Sequence, residues 1–279
     1  MFASNARTLS RAQLLGFAPL VTDANRPGWE AYSEENSAAW LQESYDVSGV
    51  VPPSSLAIVP FIYMGSADGG YIPEQDDTGP YAPLWQLSPP PSDPIGVINY
   101  NLLAQPAFVE LAEVAERSLE AAISGIYSDN DNENAENNDN GNDSAASAAT
   151  PVPGIMPLMS EPWSMLLQPV YDTWTKDVLV GNVLAIVPWS TFFQDALQSS
   201  ERGIYVILHE SSTGHAYTYR VDGPTVTYIG PGDTHDAKYN GLVQSSTLFC
   251  SDDAVNSTAV STINATESCL ATIEVRLLY

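Results

Sequence analysis

Three scarcities narrow the field before any motif is considered. Cations are few: 9 Lys and Arg stand against 34 Asp and Glu, a net charge of −25 over 279 residues. Such a field repels phosphate backbones and anionic lipid heads, which argues against nucleic-acid binding and against peripheral membrane binding. Long apolar runs are missing, so nothing in the chain has the length to span a bilayer. The opening residues Met1-Phe2-Ala3-Ser4-Asn5-Ala6-Arg7 have no apolar core of signal-peptide length. Catalytic signatures are missing too. There is no G-x-S-x-G elbow, no P-loop and no G-x-G-x-x-G after a strand. Carboxylates are so plentiful that any pairing of them is uninformative.

Cysteine is almost absent. The two residues are Cys250 and Cys269, and three sequons occur at Asn142, Asn256 and Asn264. Two of those sequons lie between the cysteines. Together they favour an oxidising, secretory compartment. A disulfide between Cys250 and Cys269 would contribute on the order of 3 kcal/mol; two reduced buried thiols are the alternative. An extracellular placement requires a signal or membrane anchor upstream of this sequence.

What is present is a chain with 44% apolar residues, enough for a substantial core. The stretch 163–220 organises it. Two apolar runs, 163–172 and 178–189, are joined by a short polar turn at 173–177, and a third run at 203–209 follows one short helix. Strand, turn, strand, helix, strand on a buried sheet is the order of a PAS-like sensory half-barrel. Residues 216–221 and 225–229 read as a hairpin about Gly223-Pro224, and 271–279 alternates like a final strand.

Upstream, the spacing of Leu9, Gln13, Leu14, Phe17, Leu20 and Val21 predicts helix across residues 2–45, interrupted near Pro19 and resumed after Pro27. Trp29, Tyr32, Asn36 and Trp40 recur at helical spacing and read as core packing. Residues 56–64 read as an edge strand bearing Pro60, and 65–94 as a long Pro/Gly/Asp loop carrying Tyr71, Tyr81 and Trp85. That loop is either a pocket lid or an apolar staple. Residues 95–103 read as a strand, and Pro106 opens a helix ending near Gly125. The Asp/Asn-rich stretch 128–149 reads as a disordered insertion, because it holds no aromatic or branched apolar residue. Its spacing does not supply the Gly and Glu of a calcium-binding loop.

Asp233-Thr234-His235-Asp236 is the richest polar cluster. A His between carboxylates suits a metal ligand or general base. A catalytic metal needs at least three protein ligands, and only His209 and His215 remain as nitrogen donors. A turn is the simpler reading. No metal, catalytic group or cofactor is assigned.

The order of several short motifs resembles the CHASE family of extracellular sensory domains. These are Gly96-Val97-Ile98-Asn99-Tyr100-Asn101-Leu102 before an Ala-rich helix, Pro169-Val170-Tyr171, Val180-Gly181, the segment 191–197, and Gly203-Ile204-Tyr205-Val206. The chain is most similar to the CHASE-like ectodomains of diatom and related algal receptor-type nucleotide cyclases. That similarity lies in Ala18-Pro19-Leu20-Val21, Trp29-Glu30-Ala31-Tyr32, the segment 81–89 and Gly232-Asp233-Thr234-His235-Asp236. The resemblance implies an α+β fold with a long N-terminal helix and PAS-like antiparallel sheets. It divides the chain into a stalk-helix region at 1–45, a membrane-distal part at 46–170 and a membrane-proximal part at 171–279.

It also implies a non-enzymatic domain on the outer face of a plasma membrane, joined to that membrane only through segments outside this sequence. The resemblance further implies a homodimer that pairs along the stalk and governs an intracellular cyclase or kinase. The expected partner is a small molecule, lined by Tyr63, Tyr81, Trp85, Asn99, Tyr100 and Trp163. The competing readings are a secreted binding module and a secreted hydrolase or metal enzyme using Asp233, His235 and Asp236.

Overall fold

The computed structural model describes residues 2–66, 69–75, 77–128, 160–174, 178–194, 198, 200, 202–210, 213–235, 244–248 and 273–278, with backbone alone for 2–5, 244–248 and 273–278. Cys250, Cys269, Asn142, Asn256, Asn264 and Asp236 lie outside the described residues, as does nearly all of the Asp/Asn-rich stretch. The fold is α+β with antiparallel sheets. The described residues fall into two compact units. One holds residues up to Ala122 together with 166–186; the other holds 123–128, 160–165 and those from Val187 onward.

The first unit opens with α1 (Phe2–Ser10), and then departs from the expected continuous helix. Residues Leu14–Pro19 form a strand, β1. Leu14, Phe17 and Val21 fit a helical spacing, but the alternation of buried and half-buried residues along β1 is that of a sheet. Pro19 closes the strand, and the helix proper, α2, runs Arg26–Ser48 with Pro27 in its first turn. Gly49 ends it in the left-handed conformation, its N–H donating to Tyr45 O.

The buried stripe of α2 is Ser33, Ser37, Leu41 and Tyr45, one residue every four. Trp29, Tyr32 and Trp40 gather instead around Trp85, with ring centroids 5.2 Å, 5.8 Å and 5.3 Å away respectively. The expected core stripe of Trp29, Tyr32, Asn36 and Trp40 is therefore a flank: none of the four is fully buried, and Tyr32 is exposed, because the line of α2 that faces the core runs through Ser33, Ser37, Leu41 and Tyr45.

Residues 56–104 are the second departure. The expected strand 56–64 shrinks to β2 (Tyr63–Gly65), paired with β3 (Tyr71–Pro73). The expected loop 65–94 contains that β3 and also β4 (Gln86–Ser88), an ordered edge of the main sheet. The expected strand 95–103 is two 3-10 turns, Pro94–Gly96 and Leu102–Ala104, capped by the Asp93 and Asn101 side chains. Asn99 between them takes φ 68°, which a strand cannot contain. Helix α3 (Pro106–Ser118) follows. It stops short of Gly125, at Leu119 in the left-handed region, and leads to β5 (Ala122–Ile123).

The runs named first in the sequence are strands: β6 (Trp163–Tyr171) and β7 (Leu179–Pro188). The sheet order is β4-β1-β7-β6-β5. β1 and β7 approach closely at Pro19 and Gly181, where a Cβ on Gly181 would lie 2.6 Å from Ala18 O. A glycine is required there by its neighbour's backbone.

In the second unit, the short helix α4 (Trp189–Phe193) precedes β8 (Ile204–Glu210), β9 (Ala216–Asp222) and β10 (Thr225–Pro231). Strand β11 (Gln244–Leu248) is not anticipated by the sequence pattern, whereas β12 (Ile273–Leu278) is. Their order is β10-β9-β8-β12-β11, antiparallel throughout. Cross-strand pairs Ile204 with Val221, Val206 with Tyr219 and Leu208 with Tyr217 build one apolar face. Trp189 and Phe193 join that core.

Candidate functional site

The residues that the sequence puts forward as ligand-lining occupy the interior of the fold. Tyr63, Tyr81, Trp85, Asn99 and Tyr100 are all buried in the first unit. Trp163 is buried in the second, stacked on Tyr127 at 4.6 Å between centroids. Five of the six therefore belong to the first unit and Trp163 to the second.

Asn99 ties the 3-10 region to α2 and to the segment before β2. Its amide donates to Ser33 Oγ at 2.8 Å and Val59 O at 2.9 Å, and its side-chain oxygen accepts from Trp29 Nε1 at 3.1 Å. Every direction in which it bonds is taken by protein. Tyr81 is similarly committed: its hydroxyl donates to Asp23 Oδ1 at 2.6 Å and lies 2.8 Å from Gln75 O, and the Arg26 guanidinium sits 5.3 Å over its ring. Arg26 also donates to Glu30 at 2.9 Å, and Glu30 accepts the Ile62 N–H at 3.0 Å. Asn101 donates to Glu74 at 2.7 Å and accepts from the Ala82 N–H at 2.9 Å. The short 3-10 and extended pieces between 56 and 104 make few ladder bonds, so side chains complete the pairing of their backbone.

Burial governs the phenols here. It raises Tyr63, aided by the neighbouring Tyr71 and Tyr100 and by Asp93. It raises Tyr100 against the opposing hydrogen bond with Gln105, with the Glu74 charge adding to it. It raises Tyr45, with a contribution from Asp93, and Tyr45 donates to Pro91 O.

A separate concavity lies in the same unit, with a volume of about 640 Å³. It is bounded by α2 and by one face of the sheet. Leu15 and Phe17 of β1, Val170 of β6 and Val183 of β7 give it apolar walls, and β4 contributes Gln86, Leu87 and Ser88. From α2 come Trp40, Glu43, Ser44, Val47 and Ser48, the last two turns of the helix. Register explains the shared face: Phe17 lies opposite both Val183 and Gln86, and Leu15 opposite Ser88. Leu15 and Phe17 are the half-buried members of β1, in alternation with the buried Leu14, Gly16 and Ala18. The Trp40 indole N–H is buried without an acceptor, so ring contacts hold that side chain. Ser44 Oγ donates to Leu87 O at 3.4 Å, fixing α2 to β4.

None of the six sequence-derived candidates lines this groove. Sequence reasoning missed its residues because they come from five elements that lie between Leu15 and Val183 in the chain.

In the second unit His235 bonds to Asp233 within one turn. Among the described residues no group of three or more His, Cys, Asp or Glu is arranged to hold a metal ion, and no helix is long and apolar enough to cross a membrane. The buried Glu210 accepts from Ile126 N–H at 3.1 Å and from Thr213 Oγ1 at 2.8 Å, a bracing role. No protein-family model matches the chain, and no curated protein matches it.

Two tests follow from the packing of this unit. Asn99→Ala removes three side-chain hydrogen bonds and strands the Trp29 donor, so urea unfolding shows a loss on the order of 3 kcal/mol. An unchanged midpoint contradicts the bracing role. The second concerns alkali. The raised phenols Tyr45, Tyr63 and Tyr100 keep their protons in the fold after unfolded phenols have lost theirs. The unfolded state then binds fewer protons, so stability falls as pH rises. The contribution is whole below the ordinary value of 10.0 and is lost above it. Absorbance at alkaline pH therefore shows these phenols ionising together with unfolding, not before it.

Proposed function

We propose that this chain is a ligand-sensing domain: the extracellular sensory region of a membrane receptor, similar to CHASE-like ectodomains, with its sheets arranged in the PAS-like manner. The observation that carries the binding part of this reading is the groove under α2. Its volume of about 640 Å³ falls within the range of about 300–1,000 Å³ usual for small-molecule sites, and the apolar residues of β1, β6 and β7 in its wall are joined by polar groups from α2 and β4. The ordered run of CHASE-like motifs supports the sensory part. The two cysteines and three sequons support an oxidising compartment.

In this reading the chain binds and does not catalyse. A ligand between the last turns of α2 and the sheet changes how the helix seats on β4, and the helix carries that change along the N-terminal region. What the ligand transmits is limited to its difference in affinity for the two seatings of the helix. Output to an intracellular nucleotide cyclase or kinase, through segments outside this sequence, and pairing of two copies along the N-terminal region belong to the same proposal.

Fluorescence of 1-N-phenylnaphthylamine, a neutral apolar probe, tests the groove. Wild-type protein enhances its emission saturably. Val183→Trp, which fills the groove from the floor, abolishes saturation while leaving the unfolding midpoint near that of wild type. No saturable binding by the wild type removes the basis of the proposal.

A further inference from the structure

We infer that the groove takes a monoanionic amphiphile, an apolar body carrying one carboxylate, and that the Arg7 guanidinium receives the carboxylate at the Ser88 end. This rests on the ligand-binding reading above and adds the chemical class. The class follows from where Arg7 lies, what it bonds and what the wall beside it offers.

Register fixes the position. Directly opposed residues of antiparallel strands turn their side chains to the same face, as do residues two apart on one strand. Leu15 is opposed to Ser88, and Phe17 to both Gln86 and Val183, so these five share the face that lines the groove. Arg7 of α1 donates from Nε to Ser88 Oγ at 3.1 Å, which brings its guanidinium to that face at the Leu15–Ser88 end. Ser88 is itself buried, so its hydroxyl holds the guanidinium in place. Helix α2 reaches the same end with its last turn. Trp40 meets Trp85, Ser44 donates to Leu87 O and Tyr45 to Pro91 O, so the helix and the chain from 85 to 91 run in the same direction. Glu43, the one carboxylate among the lining residues, precedes that last turn and is exposed to solvent.

The bonding of Arg7 sets the class. Arg26 and Arg220 each sit on a carboxylate, Glu30 and Asp222, at 2.9 Å. Arg7 is half-buried, and its guanidinium bonds to a neutral hydroxyl; no carboxylate among the described residues pairs with it. In a chain with 34 Asp and Glu against 9 Lys and Arg, acids to neutralise it are plentiful, yet the fold leaves this charge uncompensated beside an apolar wall. With Nε–H taken by Ser88, the terminal Nη donors form a planar fork that matches the two oxygens of a carboxylate. The net charge of −25 opposes anions at long range in proportion to their charge, which favours a single carboxylate over a phosphate dianion. The apolar body lies against Leu15, Phe17, Val170 and Val183.

The test is displacement of 1-N-phenylnaphthylamine by dodecanoate and by dodecylammonium, both kept monomeric, at neutral pH, from the wild type and from Arg7→Gln. One charge-assisted contact in a partly open site corresponds to about a tenfold preference. The expected result is that dodecanoate displaces the probe from the wild type at about tenfold lower concentration than dodecylammonium, and that Arg7→Gln abolishes this advantage. The variant still takes up the neutral probe, because no apolar wall residue is changed. Equal displacement from the wild type, or a preference for dodecylammonium, overturns the inference while the groove stands, and neither outcome depends on how the variant folds. A preference for dodecanoate that survives in Arg7→Gln overturns it as well. A wild-type protein that does not take up the neutral probe overturns the inference and the groove together.

Discussion

A single buried amide constrains much of the first unit. Asn99 sits at φ 68° with no exposure to solvent, and bonds at once to α2 through Ser33 and Trp29 and to the 56–63 segment through Val59. An asparagine tolerates this backbone better than most residues. Around it the chain makes 3-10 turns and isolated bridges in place of long ladders, such as Tyr63 to Tyr100 and Pro83 to Asn101. Side-chain hydrogen bonds and packed rings set the geometry of this region. Because Asn99 and Tyr81 are already fully engaged, and Trp85 is enclosed by three aromatic neighbours, they serve as a frame. The frame fixes where α2 lies, and α2 forms one wall of the groove.

The sequence was legible where local pattern and final structure coincide. The apolar runs around 163–171 and 179–188, the following short helix, the strand at 204–210 and the hairpin about Gly223 all form as their spacing indicates. Each is a buried or alternating run bounded by turn residues, and little else is compatible with that. Helices α2 and α3 were legible from Pro27 and Pro106 at their starts.

Misreadings came from apolar runs whose periodicity suits more than one structure. Leu14 and Phe17 fit a helix as well as they fit β1, and only the neighbouring strands β4 and β7 decide between the two. Residues 95–103 carry enough apolar side chains for a strand, yet Pro94 and the left-handed Asn99 make turns. Tyr81 and Trp85 looked available because they lie in a stretch dense in Gly and Pro, but that stretch is pinned by β4 and by the bonds of Tyr81 to Val21 at 2.8 Å. The groove was beyond reach for a related reason. Its wall joins residues as distant as Leu15 and Val183, and no local pattern encodes such a meeting.

The central claim is that ligand enters the groove beneath the end of α2 and does not penetrate the aromatic frame around Asn99. Peptide-resolved hydrogen exchange, with and without 1-N-phenylnaphthylamine, tests it most directly. The account predicts added protection in Leu14–Pro19, Gln86–Ser88 and the last two turns of α2, with no change in peptides covering Val59, Tyr63 and Asn99. Protection centred on Tyr63, Asn99 and Tyr100 instead, or no protection anywhere, would contradict it.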